Sequence, residues 1–399
     1  MVLGSTLLVR SGETSGRLGP EVYGLWGPPL KQLPPVAGVP PRPPAVGAVT
    51  PAPVNDVTVP LVGSDIDVAL DLEHRKKGLI WFATYAVSFD ARYTFESSSE
   101  HEERVKFELP LAESNALYDG FTVTRLDGRP VSASVEGGVA RWEDTLKSHE
   151  KPQYRVKYRS RGTGSWHYEV TSGTTQVRDF RLAMTTDFSD VDFPAGTLSP
   201  SSGEKSGGGW KGEWRFETLV ASVPIGVELP QLLNPGPLAS KITFFAPLSL
   251  LFFFFVVAVL GAARDKYLHP LHYFFLGTAF FAFHLLFAYL VDHLAIVPSF
   301  AISSLVAVGL VVSYARLFVG WKFALREMAV AQLVYLVLFS LTFFWNGFTG
   351  LSITVGAIIT LAVLMQLTGR KNPFAREEET EEQKPACAAP YRCGAVPSR

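Results

Sequence analysis

Between residues 242 and 367 the chain runs through five uncharged apolar stretches, 242–262, 271–290, 296–314, 328–345 and 351–367, joined by short links. A helix rises about 1.5 Å per residue and a bilayer's hydrocarbon core is roughly 30 Å thick, so each stretch is long enough to cross a membrane. Five such runs in succession have no soluble layer in which to hide, and backbone polar groups in lipid must be satisfied within the helix. The sequence therefore predicts a bundle of five transmembrane helices, with the lipid bilayer as its first partner.

Cations fix the expected orientation. Arg264 and Lys266 follow the first stretch, Arg316, Lys322 and Arg326 follow the third, and Arg370, Lys371 and Arg376 follow the fifth. The links after the second and fourth stretches carry neither Lys nor Arg, and Lys241 alone flanks the first stretch on that side. The positive-inside rule then places the cation-bearing links and the C-terminus in the cytoplasm, and everything before residue 242 outside. An external region of this size requires export, yet the chain opens with only MVLGSTLLV before Arg10, shorter than a span and marginal as a signal sequence. The expectation is a truncated start, with an unconventional export route as the alternative.

The external region reads differently. Residues 1–53 are expected to be a Pro-rich N-terminal segment and linker; residues 26–53 hold ten prolines and read as an extended spacer. The run from Pro40 to Pro44 reads as plain linker before it reads as a ligand for a proline-recognition domain. Residues 54–240 then show period-two alternation. Tyr85, Val87, Phe89, Ala91, Tyr93 and Phe95 alternate with polar residues, and shorter runs recur at 105–109, 122–126, 131–135, 154–158, 166–170, 176–183, 210–217 and 221–227. Turn signals at Asp119-Gly120, Asp127-Gly128, Gly137-Gly138 and Gly162–Gly164 separate them. Many short strands without helical periodicity predict an antiparallel, sandwich-like β domain. The Ser/Gly-rich interval 199–209 reads as a mobile loop, residues 229–237 as a tether to the membrane, and residues 368–399 as a disordered cytoplasmic tail.

Composition narrows the function. A formal net charge of -1 gives no electrostatic reason to expect nucleic-acid binding. The two cysteines, Cys387 and Cys393, have neither redox nor zinc spacing, and both fall in the tail. His74, His101, His149 and His167 are scattered and form no HExxH, and GxSxG, Walker A and GxGxxG signatures are absent. No cofactor, metal or catalytic residue is assigned. The spans hold no central carboxylate; Asp292 lies just past the second, and Pro247 and Pro298 lie near span ends. One intramembrane residue stands out. His284 sits well inside the second stretch, where a polar group needs a partner, with Gln332, Ser340 and Gln366 as candidates, or else faces a cavity with a relay or substrate role.

The stretch LHPLHYFFLG, including Leu268, His269, Pro270, Tyr273 and Gly277, followed by Gly320-Trp321 at the third cytoplasmic link, resembles the membrane part of the CreD family of bacterial inner-membrane proteins. Trp26-Gly27-Pro28 followed by Gln32 and Pro35 is similar to the entry into that family's periplasmic domain. The resemblance covers most of the chain in layout and is specific in these short motifs. It implies a large periplasmic domain before a C-terminal multi-span bundle, and an N-terminal span that this sequence does not display. It further implies a role in cell-envelope integrity or envelope stress response, including altered sensitivity to colicins and envelope-directed antibiotics, with no established catalysis and no catalytic residue to carry over. The leading expectation is a non-catalytic protein whose external domain engages an unknown envelope protein or cell-wall component. The rivals are a permease with a cavity near His284, and an envelope hydrolase.

Overall fold

The computed structural model describes residues 2–40, 57–170, 177–219, 223–264, 266, 268–345 and 347–370. Two compact units emerge, one of residues 12–234 and one joining the first eleven residues to the chain from Pro235 onward.

In the first unit, alternating burial builds three sheets. The largest has seven strands in the order β13 (Ser202–Ser206), β14 (Gly209–Leu219), β12 (Val177–Thr186), β4 (Leu61–Lys77), β5 (Ile80–Phe95), β10 (Gln153–Thr163), β7 (Tyr118–Arg125). A second has five, β3 (Val57–Thr58), β2 (Val36–Val39), β6 (Glu103–Pro110), β9 (Val139–Leu146), β8 (Ser134–Glu136). The third joins β1 (Leu30–Gln32), β11 (Ser165–Tyr168) and β15 (Ile225–Glu228). Pairing is antiparallel except for β4 with β12 and β1 with β11, which are parallel. The seven-stranded sheet turns Ile66, Val68, Leu70, the odd residues of β5 from Tyr85 to Phe95, and Tyr154, Val156 and Tyr158 to one buried face.

The two smaller sheets cover that face. Phe107 of β6 stacks on Trp142 of β9 at 5.3 Å between centroids and meets Phe95 at 5.0 Å and Tyr154 at 4.7 Å from the large sheet. Such pairs add roughly 0.5–1.5 kcal/mol beyond the area they bury. Tyr85 Oη donates to Ser165 O at 2.8 Å, and Tyr158 Oη donates to the fully buried Gln32 Oε1 at 2.6 Å, so phenols that burial would penalise are satisfied by the three-stranded sheet. Arg125 is buried under Asp127, Asp144 and Glu150, with Tyr154 Oη also donating to Asp144 at 2.6 Å.

Several expectations change here. Residues 26–53 were expected to be spacer only, but Leu30–Gln32 and Val36–Val39 are strands within two of the sheets, because Leu30 and Gln32 fill the core; residues 41–56 lie outside the described set. The interval 199–209 is a hairpin instead of a loop, closed by Gly207 and Gly208 at φ +59° and +91° and backed by the Trp210 ring lying on Gly203. Strands β3, β4, β9 and β13 were not anticipated. Residues 176 and 221, where two expected strands begin, lie outside the described set, as does the tail from 371 with both cysteines.

The second unit contains five helices long and apolar enough to span: Ala246–Ala263, Pro270–Leu290, Ile296–Val319, Trp321–Phe344 and Thr349–Gln366. The third and fourth outrun the uncharged stretches, taking in Arg316, Lys322, Arg326 and Glu327 at the end where Arg264 pairs with Glu327 at 2.8 Å. The first and third spans each pack against both the second and the fourth, closing a ring of four, and the fifth lies on the first.

Residues 2–26 form one helix, α1 (Val2–Trp26), where no helix was expected. Its first residues pack in the membrane unit beside α2 (Pro235–Phe244). Ser240 Oγ donates to Gly4 O at 2.7 Å, Leu7 is buried with Leu238 and Ile242, and Arg10 reaches Asp292 at 2.5 Å with its guanidinium over Tyr289. Gly4 lies against the Phe244 backbone so closely that a Cβ there would come within 2.9 Å of Phe244 N.

Candidate functional site

The family-like segment forms the start of the second span. His269 is its N-cap, Nδ1 accepting from Leu271 N at 3.2 Å, and Pro270 takes the first helical position, where a missing N–H costs nothing. Leu268 packs against Gly261 of the first span, Tyr273 meets Phe254 edge-on at 5.6 Å, and Gly277 admits the Phe254 ring where a Cβ would stand 2.9 Å from Cζ. His272 stacks on Phe318 of the third span at 3.9 Å. Gly320, at φ +86°, turns the chain from the third span into the fourth, and Trp321 opens the fourth with an exposed ring. These residues serve helix entry and close packing. The earlier motif is likewise an anchor: Gly27 O accepts from Thr163 Oγ1 at 2.8 Å, and Gln32 Nε2 donates to Leu33 O and Pro110 O at 2.7 and 2.9 Å.

His284 is fully buried among Phe280, Phe281 and Phe283, and neither ring nitrogen has a hydrogen-bond partner among the described residues. The expected bond to Gln332, Ser340 or Gln366 is therefore not made. Gln366 is exposed, Ser340 is buried elsewhere in the fourth span, and the Gln332 amide is itself fully buried with both its nitrogen and its oxygen unpartnered. His284 lies fourteen residues from Pro270 and Gln332 eleven from Trp321, and the two spans start at the same end of the bundle. At about 1.5 Å per residue they lie at depths within roughly one turn of each other. The fourth span is irregular around Gln332: residues Ala324–Met328 and Leu333–Leu338 are π-helical. The Tyr335 carbonyl in the second π turn accepts from Ser249 Oγ of the first span, and Tyr335 Oη and Thr360 Oγ1 of the fifth lie 2.9 Å apart. Turns of this kind recur at functional sites.

The open face of the seven-stranded sheet carries the other candidate. Register sets its side chains in rows. One reads Thr122, Lys157, Asp90, Asp67, Ala183, Glu213 across the strands, and the next in one direction reads Thr124, Arg155, Arg92, Asp65, Arg181, Arg215. In the other direction the row is Asp119, Arg159, Ser88, Ala69, Thr185, Lys211. Small residues fall at the centre, so the face sinks there into a depression of about 490 Å³ walled by Asp67, Asp90, Asp119, Lys157 and Arg159. A second depression of about 480 Å³ lies beyond the Asp65–Arg92 row, lined by Thr94, Gln153, Arg178 and Asp179 among others.

Ion pairs make the ridge between them. Arg155 grips Asp90 through two bonds of 2.8 and 2.7 Å and Lys157 reaches it at 3.1 Å; the Arg155 bonds hold this carboxyl below the usual carboxylate range despite partial burial. Arg181 joins Asp65 at 2.6 Å, Asp67 at 3.1 Å and Glu213 at 3.0 Å, and its bond to Asp65 is the main reason its affinity for the proton rises. No group of three or more metal-ligating side chains occurs among the described residues. Sequence reasoning missed this face because its signal lies in cross-strand register, which alternation alone does not supply.

A β-rich domain followed by five helices long and apolar enough to span defines a multi-pass membrane protein. The family profile described as inner membrane protein CreD matches residues 65–372, and the chain belongs to the CreD family. No curated protein matches it. Among solved structures it is similar to a nutrient binding protein, described as putative, from Legionella pneumophila, at 12% identity over 63% of this chain and 83% of that one, TM-score 0.37. It is also similar to an M1 zinc metallopeptidase from Deinococcus radiodurans, at 11% identity over 42% of each chain, TM-score 0.26. Neither likeness carries functional weight.

Proposed function

We propose that this CreD-family protein holds its β domain on the periplasmic side of the bacterial cytoplasmic membrane, with the C-terminus in the cytoplasm, and acts there without catalysis in envelope integrity or the response to envelope stress. The observation that carries the reading is the cation pattern: Arg264, Lys266, Arg316, Lys322 and Arg326 gather at one end of the bundle, while the segment Val291–Ala295 at the other end holds Asp292 and His293 but no Lys or Arg. The family supports an inner-membrane setting. A reporter of compartment inserted between Gly207 and Gly208, and a second after Gly347, test it: both should read periplasmic, and a cytoplasmic signal from the first would refute the placement. Complementation of a deletion strain challenged with envelope-directed antibiotics tests the role, and full rescue by the spans without the β domain would refute it.

The unpartnered His284 and Gln332 favour one second reading, a polar passage through the bundle. Under it, His284→Leu abolishes function while leaving the amount of folded protein unchanged; as an anchor, the bundle tolerates the change.

A further inference from the structure

The membrane unit carries more cations than its own carboxylates can neutralise. Between residues 235 and 370 the sequence has three acids, Asp265, Asp292 and Glu327. Glu327 is taken by Arg264 and Asp292 by Arg10, and Asp265 lies outside the described residues. Arg316, Lys322 and Arg326 stand at the same end of the bundle as Arg264. All three are exposed, and none has an ion pair or hydrogen bond among the described residues.

Burial along the fourth span shows which way two of them face. Lys322, Arg326, Val330, Val334 and Leu338 recur every four residues and all are exposed, while Ala324, Met328, Gln332, Leu336 and Ser340, spaced the same way, are buried. Residues four apart share a helix face, so Lys322 and Arg326 head a stripe whose other members are apolar and turn to lipid. The helix Trp321–Phe344 has 24 residues, about 36 Å at 1.5 Å each against a hydrocarbon core of roughly 30 Å, so about 3 Å projects at each end. Arg326 starts about 7 Å into the helix; its backbone thus lies about 4 Å inside the hydrocarbon, and its guanidinium reaches back to the headgroups along its own methylenes. A charge at that level needs a counter-ion. Both described carboxylates of the unit are engaged, and the layer that the guanidinium reaches is made of lipid phosphates.

We propose that Lys322 and Arg326 hold the phosphate of an anionic phospholipid against the outer face of the fourth span. A guanidinium grips phosphate through two parallel hydrogen bonds, and Lys322, one turn nearer the water, adds a second positive charge. A lipid with no ammonium of its own leaves the full phosphate charge to these two side chains. The exposed Trp321 ring beside them suits the headgroup level, where tryptophan commonly anchors a span. A protein partner would have to carry a carboxylate below the headgroups among apolar side chains, whereas a phospholipid has its phosphate there already. The site is independent of which compartment this end of the bundle faces.

The test uses the full chain reconstituted in mixed bilayers of phosphatidylglycerol and phosphatidylcholine, one of them brominated in its acyl chains, with quenching of tryptophan fluorescence as the readout. Trp345→Phe leaves Trp321 as the reporter beside the site, Trp321→Phe leaves Trp345 at the other end of the span, and the chain with both changes gives the baseline. Each basic side chain near the surface contributes about fivefold, so Trp321 should report phosphatidylglycerol favoured by about 25-fold, and Trp345 no preference. Lys322→Gln combined with Arg326→Gln should abolish the preference at Trp321, and unchanged quenching of Trp345 in that variant shows the bundle intact. Lys266→Gln, which removes an equal charge from the link after the first span, should alter the preference less than twofold. A preference under about fivefold in the parent chain, its survival in the double variant, or an equal loss from Lys266→Gln overturns the proposal. Replacing chloride by inorganic phosphate at the same ionic strength should change nothing; displacement of the lipid by the free ion would overturn the lipid as occupant.

Discussion

Gln332 lies with no accessible surface inside the fourth span, and its amide nitrogen and oxygen both lack partners among the described residues, so Gln332→Leu exchanges two unmet polar groups for a side chain of similar size. Each unsatisfied buried group costs about 1–3 kcal/mol, and the membrane setting lowers the gain because an unfolded helix in lipid also finds partners. The substitution should therefore stabilise the bundle by roughly 1–2 kcal/mol. Titration with a denaturing detergent, followed by tryptophan fluorescence, reads the change as a shift in midpoint at constant slope. His284→Leu should act in the same direction, and the two should add if the side chains are not coupled. A loss of more than about 1 kcal/mol for either variant would refute the reasoning, because it would mean that the group has a bonded partner which leucine removes.

Three further outcomes follow from the β domain and α1. Arg125→Met should destabilise the domain by about 3–5 kcal/mol, because it leaves Asp144 and Glu150 without the buried guanidinium between them; thermal unfolding measures it, and a loss under about 1 kcal/mol would contradict the arrangement. His167 is depressed below its ordinary value chiefly by burial, with Lys31 adding to the effect and Glu169 and Glu228 opposing it. Its unfolded form thus binds the proton first, stability holds above about pH 6.5 and falls as pH drops below that value, and His167→Asn should flatten the melting temperature between pH 7 and 5. Gly4→Leu should detach the start of α1, since the Phe244 backbone leaves no room for a Cβ; unchanged protection of Leu7 in hydrogen exchange would count against that packing.

The spans were legible because long uncharged runs have few physical solutions, and the structure moves their ends by only a few residues except where charges extend the third and fourth. Strand β5 was legible from its unbroken alternation. Strand β4 obeys the same rule, with Ile66, Val68 and Leu70 inward and Asp65, Asp67 and Asp71 outward, but no run was singled out there, because its outward face is acidic and it follows a Pro-rich approach. The β13–β14 hairpin hid in a Ser/Gly composition that speaks of turns more than of strands. For α1, two glycines in the first dozen residues and Pro20 argue against a helix, and contacts distant in sequence, such as Ser240 to Gly4, override that local preference. The partners expected for His284 failed for a related reason: depth along a span can be counted from sequence, but the direction a side chain faces around the bundle cannot.

The two parallel pairings bear on how the domain comes into being. Strand β4 cannot gain its neighbour β12, nor β1 its neighbour β11, until most of the domain's sequence has left the ribosome, and β11 also waits for β15. Loop closure over such separations is slow, so a nascent chain would hold the long β4–β5 hairpin with one flank bare while the rest is made. A row of unpaired backbone groups is then open to another chain, and the period of greatest aggregation risk ends only when the last strands arrive.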